Sequence, residues 1–325
     1  CGNLLRNHGQ RTTSQQMIGI TRIGTYLPKA RTSNFERMKK FGMSEPFIRE
    51  KIGFAEVALK APEQEPSDLC VKAWEHLQLQ ELVSQDEIEC LIVCTQNPDG
   101  HGLPHTSAVI HEKLSLPLSC AAFDLSLGCS GYVYGLSVIK SFMEANGLRK
   151  GLFFTADPYS KVMNQDDKKT ATLFGDGATV TLLTDVPVFE FGKFVFGSDG
   201  SKKEGIIVRE DGHVHMNGRA VFSFTVRVVP ASIREMLDKN VFPLKNVDRF
   251  LLHQGSLHIV NSIADALGVP RESCPFHSSS YGNTVSSSVP MILAQEFDNL
   301  EMQVAVLAGF GVGLSWASTL IFRKN

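Results

Sequence analysis

After Met17 the chain alternates between two hydrophobic periods. GITRIGTYLP (19–28), ECLIVCTQ (89–96), AAFDLSL (121–127), GLFFTADP (151–158) and ATVTLLT (178–184) are short apolar runs bounded by polar or turn residues, and they predict strands. Between them SDLCVKAWEHL (67–77), HTSAVIHEKL (105–114) and SGYVYGLSVIKSFMEA (130–145) repeat apolar positions every three or four residues, as helices do. Asn146 and Gly147 close the third as a C-cap. Further on, FEFGKFVFG (189–197) and GIIVRE (205–210) read as β-structure, and a helix is expected from Arg219 to Leu237 in spite of Pro230. RFLLHQ (249–254) is a strand feeding the helix SLHIVNSIADALG (256–268), and TVSSSVPMILAQEF (284–297) is a second helix. AVLAGFG (305–311) and LSWASTLIF (314–322) end the pattern as two strands joined by a glycine-rich turn.

Strand–helix–strand alternation with apolar strands predicts an α/β architecture around a buried sheet. ECLIVCTQ with its helix resembles RFLLHQ with its helix, which suggests a topological duplication dividing near residues 184–190. There is no low-complexity linker at that point, so the halves should pack tightly. Residues 1–16 are polar and lack the apolar core of a signal peptide, so they read as an expression remnant or a disordered extension, with Met17 the natural start. No apolar run reaches membrane-spanning length, and a cytoplasmic location is expected.

Composition narrows the function by exclusion. With 43% hydrophobic and 20% charged residues among 325, the chain is long enough for a sizeable core. Its net charge of −2 offers no global basic field for nucleic acid or an anionic membrane. The seven cysteines are scattered, without a CxxC pair; Cys90 and Cys94 lie within one strand and no ligand cluster follows them. Most therefore read as small buried hydrophobes in a reducing compartment, and no metal site is predicted.

Cys129 is the exception. It sits in FDLSLGCSGYVYG (123–135), where a strand gives way to a helix, between Gly128 and Gly131. Such a corner lets the backbone turn sharply, and the helix N-terminus is expected to lower the thiol pKa. A buried structural cysteine beside glycine is the alternative. His253 closes the strand RFLLHQ, and Asn283 precedes a helix in SSSYGNTVSSS (278–288). Taken singly, these are as compatible with a satisfied core histidine and a helix N-cap as with chemistry.

Taken together and in order, Cys129, His253 and Asn283 resemble the thiolase superfamily, in particular its β-ketoacyl-(acyl carrier protein) synthase III branch. The resemblance is carried by DLSLGCSGYVYGL, LFGDGATVTLL (173–183), HQGSLHI (253–259), YGNTVSSSVP (281–290) and AGFGVGLSWAS (308–318), spaced consistently from Met17 to the C-terminus. It implies a duplicated five-layer αβαβα thiolase-like fold, with residues 17–186 carrying the nucleophile and 187–325 carrying His and Asn. It also implies a two-step reaction. Cys129 takes an acyl group from acyl-CoA, held through an oxyanion site made by its own N–H and the Gly311–Val312 turn. A malonyl thioester, on CoA or on acyl carrier protein, then loses CO2 and condenses, with His253 and Asn283 donating hydrogen bonds to the enolate. No cofactor is implied, and a homodimer is.

A Cys–His–Asn set suits decarboxylation better than hydrolysis, because it supplies donors rather than a strong base. A Cys-dependent acyltransferase or thioesterase of the same fold is the nearest alternative, and a non-catalytic subunit paired with an active homologue is the third. FGDGA (174–178) has no Walker lysine after it and reads as a structural turn.

The resemblance also places the substrate contacts and shows departures. Phe310 is expected to pack against the nucleophile and gate the pocket, or to be a plain core residue. Leu103 matches the position that walls the partner's acyl pocket, and a leucine there suggests room for a longer chain. Phe47 and Lys51 stand where the family sandwiches the CoA adenine with Trp and Arg; lysine lacks the planar guanidinium. Ser256 and His258 replace Asn and Arg, and Met216 is placed among the substrate contacts. Ser223 replaces a carrier-docking lysine, with Lys161, Lys168, Lys169, Arg219 and Arg227 as possible compensation. Val312 replaces a glycine and is compatible with a backbone donor only if its φ is negative. These departures point slightly towards a specialised pathway rather than housekeeping fatty-acid initiation.

Overall fold

The computed structural model of the chain describes residues 17–324, so the expectation made for residues 1–16 lies outside the described residues. One set of strands runs, in spatial order, Gly19–Tyr26, Ala178–Thr184, Lys150–Ala156, Cys90–Cys94, Ala121–Leu125. The last three are mutually parallel and the first two antiparallel to their neighbours. A second set repeats the scheme: Arg249–Leu252 lies parallel to Val304–Gly311, which pairs antiparallel with Ser315–Arg323, flanked by Phe189–Phe191 and Val195–Ser198. A single pairing, Ile20 with Phe189, joins the two sets into one ten-stranded sheet.

The period-2 alternation of the strands sorts their side chains between layers. Leu91 and Val93 face the helices Pro66–Gln80 and Thr106–Lys113, while Cys90, Ile92 and Cys94 face the helix Gly131–Asn146. In the second set Phe250, Leu252, Val306 and Ala308 face Gly218–Lys239 and Leu257–Leu267, while Leu251, Ala305 and Leu307 turn to the middle. Gly131–Asn146 and Ser288–Glu296 touch strands of both sets. The order is therefore helix, sheet, helix, sheet, helix: the five-layer αβαβα arrangement. The described cysteines are buried and free, most of them serving as small core residues.

Most elements lie where the pattern predicts them, and Gly147 caps its helix in the left-handed conformation, φ 68°, with its N–H on the Met143 carbonyl. Two differ. FEFGKFVFG breaks into two strands at Gly192–Phe194, and GIIVRE contributes only Ile206–Val208, paired with Val214–Met216 in a separate hairpin. The helix expected from residue 284 starts at Ser288, after a 3-10 turn over Val285–Ser287. Val285 has φ 54°, and a residue in that region cannot continue an α-helix from Thr284.

This layering sets the site. Cys129 opens one middle helix, Asn283 lies just ahead of the other, and His253 follows the parallel strand Arg249–Leu252. All three lie at the end of a strand or the start of a helix near the carboxyl ends of the parallel strands, where α/β folds place their crevices.

Candidate active site

Cys129 is held by its neighbours' lack of side chains. A Cβ added at Gly311 would lie 2.7 Å from the Cys129 sulfur, and one at Gly309 would lie 2.7 Å from the Cys129 carbonyl oxygen. The glycine-rich strand Val304–Gly311 can therefore pass directly against the corner. Ser130 is fully buried, its Oγ 2.7 Å from Ser315 Oγ, which ties the corner to the following strand.

His253 is buried and its Nδ1 lies 2.6 Å from Ser288 Oγ. The Gln254 backbone N–H points at the same oxygen from 3.4 Å, so the serine hydroxyl is free to donate to the ring. Burial lowers the imidazole pKa to about 3, against a smaller raising effect of a backbone hydrogen bond to Val285; at neutral pH the ring is uncharged. Phe310 stands edge-on to it, ring centroids 5.4 Å apart at 89°.

Asn283 is fixed through its backbone. Its N–H donates to the Leu173 carbonyl at 2.8 Å and its carbonyl accepts from the Gly175 N–H at 3.0 Å, so the LFGDGA segment holds the Asn283 backbone in place. Its Oδ1 accepts from the Val285 N–H at 2.9 Å. That leaves Nδ2 as the outward group, 3.5 Å from His253 Nε2. Two nitrogen donors thus stand side by side, a pair suited to one shared oxygen acceptor.

Cys129, His253, Asn283, Phe310 and Gly311 line one cavity of about 440 Å³, within the range of small-molecule sites. Phe47, Lys51, Met216, Ser256 and His258 line the same cavity towards its mouth, so nearly every residue singled out in the sequence is brought together. Leu103 is not; it is exposed on a separate loop. Val312 keeps a negative φ, since the non-glycine residues with positive φ are Ser115, Val241 and Val285 among those described.

The electrostatics correct one expectation. The thiol of Cys129 is not lowered but pushed up to about 12. Burial dominates; backbone hydrogen bonds from Val312 and from Cys129 itself pull the other way, and the buried Asp157 adds to the rise. The helix proper begins only at Gly131, so the sulfur gains little from its first turn.

The contacts among the neighbouring side chains refine these roles, and two of them, Phe222 and Ser288, carry no sequence signal of their own. The Lys168 amine sits 5.0 Å over the Phe47 ring, in cation–π contact with it. Phe222 stacks on His258 at 4.8 Å with 5° between the planes. Ser256 also serves as N-cap of Leu257–Leu267, accepting from the Ile259 N–H. Lys161 is taken up by Glu65 and the Pro98 carbonyl, both at 2.6 Å, and is withdrawn from the docking cations suggested above. Ser288 is the middle layer's contribution to His253. In a run of three serines only the 3-10 turn decides which one reaches the ring.

Known proteins share this arrangement from end to end. The family described as 3-oxoacyl-[acyl-carrier-protein (ACP)] synthase III matches residues 123–200, and its C-terminal counterpart matches residues 237–322. A Deinococcus deserti protein named β-ketoacyl-[acyl-carrier-protein] synthase III is 32% identical over 322 residues, covering 94% of this chain and 91% of its own. The chain belongs to the β-ketoacyl-(acyl carrier protein) synthase III family. Among solved structures, the synthase III of Thermus thermophilus is similar over 94% of this chain and 99% of its own, with 30% identity and TM-score 0.87. The priming β-ketosynthase of the R1128 polyketide pathway is similar over 97% and 99%, with 26% identity and TM-score 0.86. The chain is thus an acyl-transferring condensing enzyme of the thiolase-like fold, and neither the thioesterase nor the silent-subunit reading is favoured. Among the described residues no helix is long and apolar enough to cross a membrane.

Proposed function

We propose that the chain joins an acyl group from acyl-CoA to a malonyl thioester through Cys129, with His253 and Asn283 serving the decarboxylation. The observation that carries this reading is the side-by-side placement of His253 Nε2 and Asn283 Nδ2, 3.5 Å apart, in the cavity that Cys129 also lines. In the first step the Cys129 sulfur attacks the thioester carbonyl. The C–S bond to CoA breaks and the thiol proton ends on the departing CoA sulfur. The N–H groups of Cys129 and Val312 hold the oxyanion. Because the resting thiol is neutral, the thiolate forms only as the substrate arrives.

In the second step the bond from the malonyl carboxylate to the adjacent carbon breaks, CO2 leaves, and the electron pair becomes an enolate. With the Ser288 hydroxyl donating to Nδ1, the neutral imidazole carries its proton on Nε2 and keeps it, donating a hydrogen bond beside Asn283 Nδ2 to the enolate oxygen. The carbanion then attacks the acyl carbonyl, the C–S bond to Cys129 breaks as the new C–C bond is kept, and the departing sulfur takes up a proton from solvent. No charged imidazolium is needed, which fits a histidine held neutral by burial.

At the mouth, a nucleotide base would enter between Phe47 and Lys168, which now touch each other. Arg219, at the cavity rim, Arg227, in the cleft beside it, and Lys169, in a second cleft that Arg219 also lines, are the cations left for an acidic acyl carrier protein. The halves would divide at 186/187, between the strands Ala178–Thr184 and Phe189–Phe191. The strand Ala121–Leu125 ends the sheet with only one neighbour among the described residues, and Leu103 and Leu118 are exposed nearby in sequence. An unpaired edge of this kind supports a homodimer built by edge-to-edge pairing across a two-fold axis, which would bring Leu103 to the partner.

Supplying purified protein with acetyl-CoA and a malonyl thioester tests the reading. Release of CO2 together with a β-keto thioester is expected. Acyl-CoA consumption without CO2 would overturn condensation.

A further inference from the structure

The residue after His253 does not reach the cavity. Gln254 is fully buried, while His253, Gly255 and Ser256 on either side of it line the cavity wall. A buried carboxamide needs partners for two donors and one oxygen, and this one finds them all in protein. Its Nε2 donates to the Leu252 carbonyl at 2.9 Å and to the Pro275 carbonyl at 3.3 Å. Its Oε1 accepts from the His277 N–H and from the Ser278 hydroxyl, both at 3.3 Å. Two carbonyls on one side and two donors on the other fix which end of the amide is which.

Those partners belong to the two segments that carry the donor pair. Leu252 ends the strand that leads into His253. Pro275 and His277 lead into the turn Ser278–Ser280, and the Ser278 carbonyl accepts from the Tyr281 and Gly282 N–H groups at 3.2 and 2.9 Å. Asn283 follows directly. The rest of that loop is registered on a distant part of the chain. The Ala55 N–H donates to Ser279, Ala58 to Tyr281, Asn283 to Leu173 and Gly175 to Asn283. Left to those bonds, Asn283 would follow residues 55–175, whereas His253 follows the strand Arg249–Leu252. Gln254 ties the two mounts together at their buried end. The contact of His277 with Glu296, 3.2 Å, lies on the exposed side of the loop, where water weakens it.

We propose that Gln254 is a positioning residue for the condensation step: its amide sets the spacing of His253 Nε2 and Asn283 Nδ2 and so aligns both donors on one oxygen. The proposal rests on the roles given above to that pair and adds a residue that touches no substrate. Acyl loading uses neither donor, so it does not depend on Gln254. Hydrogen bonds to a developing enolate are made in the transition state, so misaligning them lowers kcat rather than raising KM.

Gln254→Met keeps the length of the side chain and removes all four bonds. Condensation, read as CO2 release from a malonyl thioester on the acylated enzyme, should fall about 30-fold or more in kcat, with KM unchanged. Acylation of Cys129 by acetyl-CoA, read by intact mass, should match the wild type. Ser278→Ala deletes one bond only and decides the matter if Gln254→Met does not fold: its kcat should fall about threefold to tenfold with loading unchanged. A merely structural role would lower both half-reactions together, or raise KM and leave kcat, and either result would overturn the proposal. Wild-type CO2 release in Gln254→Met would overturn it as well. Asn283→Ala is the control for the underlying reading. If that variant releases CO2 at the wild-type rate, the donor pair itself is wrong; if it does not while Gln254→Met does, only the role of Gln254 falls.

Discussion

The Nδ1 of His253 lies 2.6 Å from Oγ of Ser288, and among the described residues the imidazole's other side-chain hydrogen-bonding neighbour is Asn283. That contact selects the tautomer. A hydroxyl donating to Nδ1 leaves the proton on Nε2, where the proposed enolate would form; a ring without it is free to carry the proton on the wrong nitrogen. Ser288→Ala is expected to lower the condensation rate about 10- to 100-fold while changing acyl loading far less. Separate assays of Cys129 acylation and of CO2 release check it. Equal losses in both would show that Ser288 holds the fold rather than the tautomer.

Cys129→Ala should abolish acyl loading, since it removes the sulfur that forms the thioester. Asn283→Ala should spare loading and remove condensation, at a cost of about 100-fold or more in CO2 release for the lost donor. The Asn283 backbone bonds to Leu173 and Gly175 survive the substitution, so the loop should stay in place. Intact mass for loading and radiolabelled CO2 for condensation separate the two half-reactions.

Much of this geometry is legible in the sequence because it depends on local rules. The glycines around Cys129, the strand end at His253 and the loop at Asn283 each announce a turn, and their order announces the family. Other features depend on tertiary contact. That Ser288 rather than Ser286 or Ser287 reaches His253 follows from the left-handed Val285, which no residue propensity foretells. That Lys168 covers Phe47 follows from two segments 121 positions apart meeting at the mouth. The thiol runs opposite to expectation for the same kind of reason. A strand-to-helix corner is visible in the chain, whereas the depth at which it is buried belongs to the packed layers around it.

Gly311 faces the nucleophile so closely that a methyl group has no room. A Cβ there would lie 2.7 Å from both the Cβ and the sulfur of Cys129. Gly311→Ala should therefore slow acyl loading by about 100-fold, because displacing the sulfur or the strand by even 1 Å spoils the attack geometry. Thermal unfolding measured alongside should show a loss of about 1–3 kcal/mol, the usual cost of overpacking. Loading at the wild-type rate would show that the strand yields without disturbing the site.

Asp157 provides the pH test. It is buried, with Oδ1 accepting from the Gln96 N–H at 3.2 Å and from Asn97 Nδ2 at 2.7 Å, while Oδ2 has no partner. Burial raises its pKa to about 7, opposed by those hydrogen bonds. A carboxyl whose folded value lies above its unfolded value near 3.8 binds more protons folded than unfolded between the two. Its contribution to stability is therefore intact below about pH 4 and is lost as pH rises to about 7. Asp157→Asn keeps the acceptor towards Gln96 and Asn97 but cannot ionise. The variant should gain on the wild type as pH rises, with the difference in unfolding free energy growing by about 4 kcal/mol between pH 4 and pH 8, as the rise from 3.8 to about 7 requires. Denaturant titrations of both proteins at the two pH values measure it, and a difference that stays constant with pH would show that the carboxyl is already ionised in the folded state at pH 4.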